Sequence, residues 1–266
     1  MIDYTDISMK EFQRCVDLIF TTNNKDKSHP SEIIKNMARI SFSRFARSDS
    51  LYFSLSHTLT SAKIGLEILN SIKCRSGVVR QGLAINFMGS ILFCNIGIIK
   101  GILSEDTLDH FKINDDEPVK LIIDGTDSIL WKYKSYRSCK FIESIPFLNS
   151  NTNMELVARS IESSDIIDIE KHQDLKFGTI DKYNRATQII SLMSDSNYDR
   201  KLAEYFYSAQ EAGVLDKIIF PSLGQFKEKW AQYFWDTLYS DVAETILLLR
   251  ETDQGRNIVS SIYTHL

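Results

Sequence analysis

Leu83-Ala84-Ile85-Asn86-Phe87-Met88-Gly89-Ser90-Ile91-Leu92-Phe93-Cys94-Asn95-Ile96-Gly97-Ile98-Ile99 is the most membrane-like stretch of the chain, and its reading decides the fold. It carries Asn86, Ser90 and Asn95 and is shorter than the roughly 20 mostly apolar residues that a spanning helix needs. The stretch therefore predicts a helix from Leu83 to Ile96 that is buried on most sides within a helical domain. Upstream, apolar spacing predicts helices over Ser8–Phe20, with Phe12, Val16, Ile19 and Phe20 on one side, over Ser31–Ala46, and over His57–Ile72. The polar run Thr21–Pro30 reads as a loop.

Downstream, from Gly97 to Asn153, the pattern loosens. Asp115-Asp116-Glu117-Pro118 reads as a turn and Val119-Lys120-Leu121-Ile122-Ile123 as a short strand or extended run. Helical spacing returns at Met154–Ser163, Asp181–Met193 and Tyr198–Ala212, where Gly213 marks a C-terminal stop. A long helix follows Pro221-Ser222, with a break near Tyr239-Ser240, and a last one covers Gln254–Tyr263. Glycine and proline number 11 and 4 among 266 residues, which suits long helices with few tight hairpins. No repeat or Pro/Gly/Ser-rich linker divides the chain, so one mainly helical domain is expected.

The net charge of −4 hides an asymmetry: residues 1–100 hold 13 Lys/Arg against 8 Asp/Glu, and the remainder 18 against 27. General nucleic-acid binding does not fit this balance, although Arg39, Arg44, Arg47, Arg75 and Arg80 form a local basic set. Cys15, Cys74, Cys94 and Cys139 have neither metal-ligand spacing nor a disulfide pattern, and the N-terminus has no secretory signal; a cytoplasmic protein is expected. The histidines, His29, His57, His110, His172 and His265, form no helical zinc pair. No phosphate loop, Gly-x-Ser-x-Gly elbow or dinucleotide fingerprint occurs.

Tyr52-Phe53-Ser54-Leu55-Ser56-His57-Thr58-Leu59, followed by Phe93-Cys94-Asn95-Ile96-Gly97-Ile98-Ile99-Lys100-Gly101, resembles the first two motifs of HD-domain metal-dependent phosphohydrolases. Ala186-Thr187-Gln188-Ile189-Ile190, Ser194-Asp195-Ser196-Asn197-Tyr198, Tyr233-Phe234-Trp235 and Gly255 extend the likeness to a bacterial branch of that superfamily. The resemblance implies an all-α, HD-domain-like helical domain over residues 51–266, with residues 1–50 as a helical extension packed on it and a small irregular middle segment. It also implies a metal set that is degenerate here. His57 matches the first ligand, but the His-Asp pair falls on Cys94-Asn95, a third histidine near Lys134, and the late aspartate on Gln188.

Two neutral carboxamides and a lysine are poor company for a divalent ion, so no cofactor is expected. Cys94 reads better as a small buried apolar residue, and His57 as a helix-start histidine whose ring meets a neighbouring backbone group. The expected protein is catalytically inactive, a pseudoenzyme that binds a protein partner or an anionic phosphorylated small molecule. Arg137, Lys140 and Arg185 are candidate anion-binding residues, and self-association stays open. The competing reading is an active phosphohydrolase with a divalent metal such as Mn, Fe or Mg at a non-standard site around His57, Asp106, Asp109 and His110. A third is a structural subunit that exposes Trp230, Tyr233, Phe234 and Trp235.

Overall fold

The computed structural model describes residues 4–20, 29–121, 124–167, 175–215 and 220–266. The fold is all-α. Helix α1 (Tyr4–Phe20) places Phe12, Val16 and Ile19 inward, and α2 (His29–Phe45) places Ile33, Ile34, Met37, Ala38 and Phe42 inward. These two helices pack on each other and on α3 (Leu55–Ser76) and α4 (Gln81–Phe93). Ser54 caps α3 by accepting the amide of His57, and Gly77, at φ 77°, closes it in the left-handed conformation that a side chain disfavours.

Helix α4 is the hub, packed against α2, α3, the later α7 (Met154–Glu162) and α8 (Ile180–Met193). The window Gln81–Ile98 is the one span among the described residues with the length and hydropathy to cross a membrane, yet 78% of it is buried inside the fold. Its apolar surface is used against other helices of the chain. At Cys94-Asn95 the helix gives way to a 3-10 turn, Ile96–Ile98.

The middle segment holds more structure than its sequence pattern announces. Two antiparallel two-residue strands, β1 (His110–Phe111) and β2 (Val119–Lys120), pair His110 with Lys120 and Phe111 with Val119. The extended reading of Val119–Ile123 thus holds for its first two residues, while Ile122 and Ile123 lie outside the described ones, as does most of the Thr21–Pro30 loop. A 3-10 segment, Asp127–Tyr133, then leads into α5 (Lys134–Ser144) and α6 (Pro146–Asn151).

The C-terminal helices are α9 (Tyr198–Glu211), α10 (Leu223–Tyr233), α11 (Tyr239–Leu249) and α12 (Asp253–Thr264). The expected break falls as a π turn, Phe234–Leu238, between α10 and α11. Trp230 and Phe234 are buried in the core, Tyr233 is partly buried and Trp235 is exposed, so the structural-subunit reading keeps one exposed aromatic of its four. One apolar core runs from Phe12 to Ile262 and joins the first 50 residues to the rest.

Candidate functional site

Three of the five positions singled out by the resemblance, Asn95, Lys134 and Gln188, are joined in one buried polar network, and His57 lies beside it. Asn95 sits in the turn after α4, Lys134 at the first position of α5 and Gln188 in the middle of α8, while His57 lies in the first turn of α3. Lys134 Nζ donates to Asn95 Oδ1 at 2.9 Å, and Asn95 Nδ2 donates to Gln188 Oε1 at 3.2 Å. Gln188 Nε2 donates to Asn184 Oδ1 at 3.4 Å, and Asn184 Nδ2 to the carbonyl of Ser160 at 3.0 Å. Every residue of α8 is buried, so its polar side chains have to find partners inside the protein. The fifth position, Cys94, turns its thiol to the carbonyl of Ile91.

Charges the sequence reading did not anticipate complete the network. Asp165, which follows α7, accepts from the indole of Trp131 at 3.1 Å and lies 3.9 Å from Lys134 Nζ. Burial pushes its carboxyl up, but the Lys134 ammonium, the Trp131 indole, the Ile167 amide and Arg185 outweigh that and hold it below the usual carboxylate range. Around His57 burial dominates. With Lys201 and Lys134 adding to it against the opposing influence of Gln188, it lowers the imidazole pKa to about 3. His57 is therefore neutral at physiological pH, and its Nε2 has no hydrogen-bond partner within the protein. Burial raises the Cys94 pKa to about 11, so it is a thiol, not a thiolate.

This donor set does not fit a divalent cation. One neutral imidazole is present, but the Asn95 and Gln188 carbonyl oxygens already accept hydrogen bonds, Cys94 is protonated, and an ammonium stands among them. Nor do the described residues bring together any three of His, Cys, Asp and Glu in a way that could hold a metal.

His57, Asp106, Asp109 and His110 accordingly do not assemble into the alternative site. Asp106 is buried in a two-pronged ion pair with Arg137, and Asp109 pairs with its neighbour His110 and with Lys120 across the strand pair.

The candidate anion-binding cations are each engaged separately. Arg137 is fully buried and spends its guanidinium on Asp106 and on the carbonyls of Gly97, Ile99 and Lys112. Arg185 donates to Asp241 at 2.6 Å and to the Asp165 carbonyl at 2.5 Å, while Lys182 approaches the other oxygen of Asp241 at 2.9 Å. Lys140 lies on the surface between Asp115 and Glu143. Arg137 and Arg185 hold the frame together and present no shared cradle for an anion. Of the basic set near the N-terminus, Arg39, Arg44, Arg47, Arg75 and Arg80 are all exposed, and Arg75 pairs with Glu251.

The molecule is thus an all-α protein whose converging polar centre is closed by its own lysine. It belongs to the Npun_R2479-like family, whose model matches residues 2–266. No curated protein and no solved structure matches the chain.

Proposed function

We propose that this chain is a catalytically inactive protein of HD-like descent that acts by binding, with Lys134 standing where a metal-dependent relative would hold its ion. The observation that carries the reading is the Lys134 ammonium, 2.9 Å from Asn95 Oδ1 and 3.9 Å from Asp165, inside the network that joins Asn95 to Gln188. A fixed unit charge there repels a dication in a poorly screened environment and already satisfies part of the polar lining. With Arg137 and Arg185 spent on buried carboxylates, a protein partner fits the exposed surface better than a phosphorylated small molecule fits the interior.

Elemental analysis of the chain purified without chelators tests this, together with assays on nucleotides and phosphate monoesters in added Mn, Mg or Fe. Substoichiometric metal and no turnover are expected. Stoichiometric metal, or hydrolysis abolished by His57→Ala, would overturn it.

A further inference from the structure

Next to the Lys134 network, three buried polar atoms have no partner within the protein: Tyr52 Oη, Tyr205 Oη and His57 Nε2. All three residues are about 2% exposed. Their rings are contiguous. The centroids of Tyr52 and His57 lie 4.4 Å apart and those of Tyr52 and Tyr205 4.9 Å apart, the latter edge to face. Phe53 and Trp131 continue the cluster at 5.1 and 4.6 Å, and Lys134 Nζ lies over the Phe53 ring at 5.7 Å.

A buried hydroxyl without a partner forfeits its hydration with no return, so a fold that leaves two beside an imidazole and an ammonium implies something that they bind. Each spare group is able to donate. Burial keeps both phenols protonated, and the Lys134 ammonium spends one of its three N–H groups on Asn95. His57, neutral, presents an N–H from Nε2 in one of its two tautomers. A water accepts only about two hydrogen bonds, whereas an anion accepts from every side. The carboxylates nearby are already occupied: Asp165 by Trp131, Asp195 by the Asn197 amide, and Glu204 by Arg200 and Lys201.

We propose that this centre binds one small monovalent anion of chloride size, held by Tyr52 Oη, Tyr205 Oη, Lys134 Nζ and His57 Nε2. The proposal rests on the reading above, in which Lys134 occupies the place of a metal, and gives that closed site a ligand of its own.

The test is thermal unfolding of the full chain in chloride and in gluconate at equal ionic strength, on the native protein and on Tyr52→Phe and Tyr205→Phe. Chloride is expected to raise the native midpoint by about 2–4 °C over gluconate. Each phenylalanine variant should lose most of that rise and unfold earlier. Equal midpoints in the two salts overturn the proposal, as does a chloride effect that persists in both variants. Variants destabilised without any anion dependence overturn it too, because they identify the guest as water. Should neither variant fold, crystals of the native protein grown in bromide decide: an anomalous peak between Lys134 and the two tyrosines supports the site, and its absence sinks it. Metal content, measured on the same preparation, tells the two readings apart. Stoichiometric metal removes the binding-protein reading, whereas a metal-poor chain indifferent to chloride removes only the anion.

Discussion

Lys134 shows how much of this site one residue decides. It is 3% exposed, and its charge is met by Asp165, Asn95 Oδ1 and the face of Phe53. Removing one partner of a buried pair leaves the other uncompensated, at a cost of about 3–5 kcal/mol, while removing both is far milder. Lys134→Met is therefore expected to lower the urea midpoint sharply, and Lys134→Met with Asp165→Asn to recover a large part of the loss. A double mutant no more stable than Lys134→Met alone would show that the two charges are not coupled.

At this scale the sequence singled out Asn95, Lys134 and Gln188, which come together beside His57. It was silent on Tyr52, Asp165 and Tyr205. Tyrosines on an apolar stripe read as core, and a single aspartate after a helix reads as a turn. Only three-dimensional proximity gives them a role.

Among the elements, α5 explains why the middle segment looked irregular. Its buried positions are Lys134, Arg137, Ser138, Phe141 and Ile142, a helical spacing of which three members are polar. Hydrophobic periodicity cannot register such a face, because its burial is sustained by hydrogen bonds and ion pairs in place of apolar contact. Helices whose inward faces are apolar and whose ends are capped, such as α3 after Ser54, α10 after Ser222 and α12 after Thr252, were readable to within a few residues.

The close seat of α5 also depends on Gly97. The Gly97 amide donates to Ser138 Oγ at 2.9 Å, and its carbonyl accepts from Arg137 Nε at 2.6 Å. A Cβ at this position would overlap the Lys134 carbonyl oxygen and fall 2.6 Å from the Ser138 nitrogen. Gly97→Ala is expected to cost at least about 1–3 kcal/mol, by forcing α5 off the turn. Gly82→Ala, in the first turn of α4 with nothing within 4 Å of the added carbon, should be neutral or slightly stabilising. Equal denaturation midpoints for the two variants would refute the close-approach argument.

For the whole molecule, the buried ionisable groups couple stability to pH, and His57 sets the neutral-to-acid part of that coupling. Its folded pKa of about 3 lies below the ordinary value of 6.5, so below pH 6.5 the unfolded chain takes up a proton that the folded chain refuses. The unfolded state then binds more protons, and stability falls as pH falls. The contribution of neutral His57 is complete above about pH 6.5 and erodes toward pH 3, with a slope approaching 1.4 kcal/mol per unit.

Asp165 and Asp241, both held below the usual carboxylate range, add their loss at the acid end of the same window. Burial opposes that lowering in each, whereas Lys134 favours it at Asp165, and Arg185 and Lys182 at Asp241. Urea titrations of the full chain between pH 7.5 and 4.5 are expected to show a steady decline for the native protein. His57→Gln keeps a polar side chain of similar reach but cannot titrate, so its curve should be flatter from pH 6.5 down to about 4.5 and steepen only where the carboxylates protonate. Parallel curves for the two proteins over that range would mean that His57 titrates normally when folded, and would remove the buried, neutral imidazole from the account of the site.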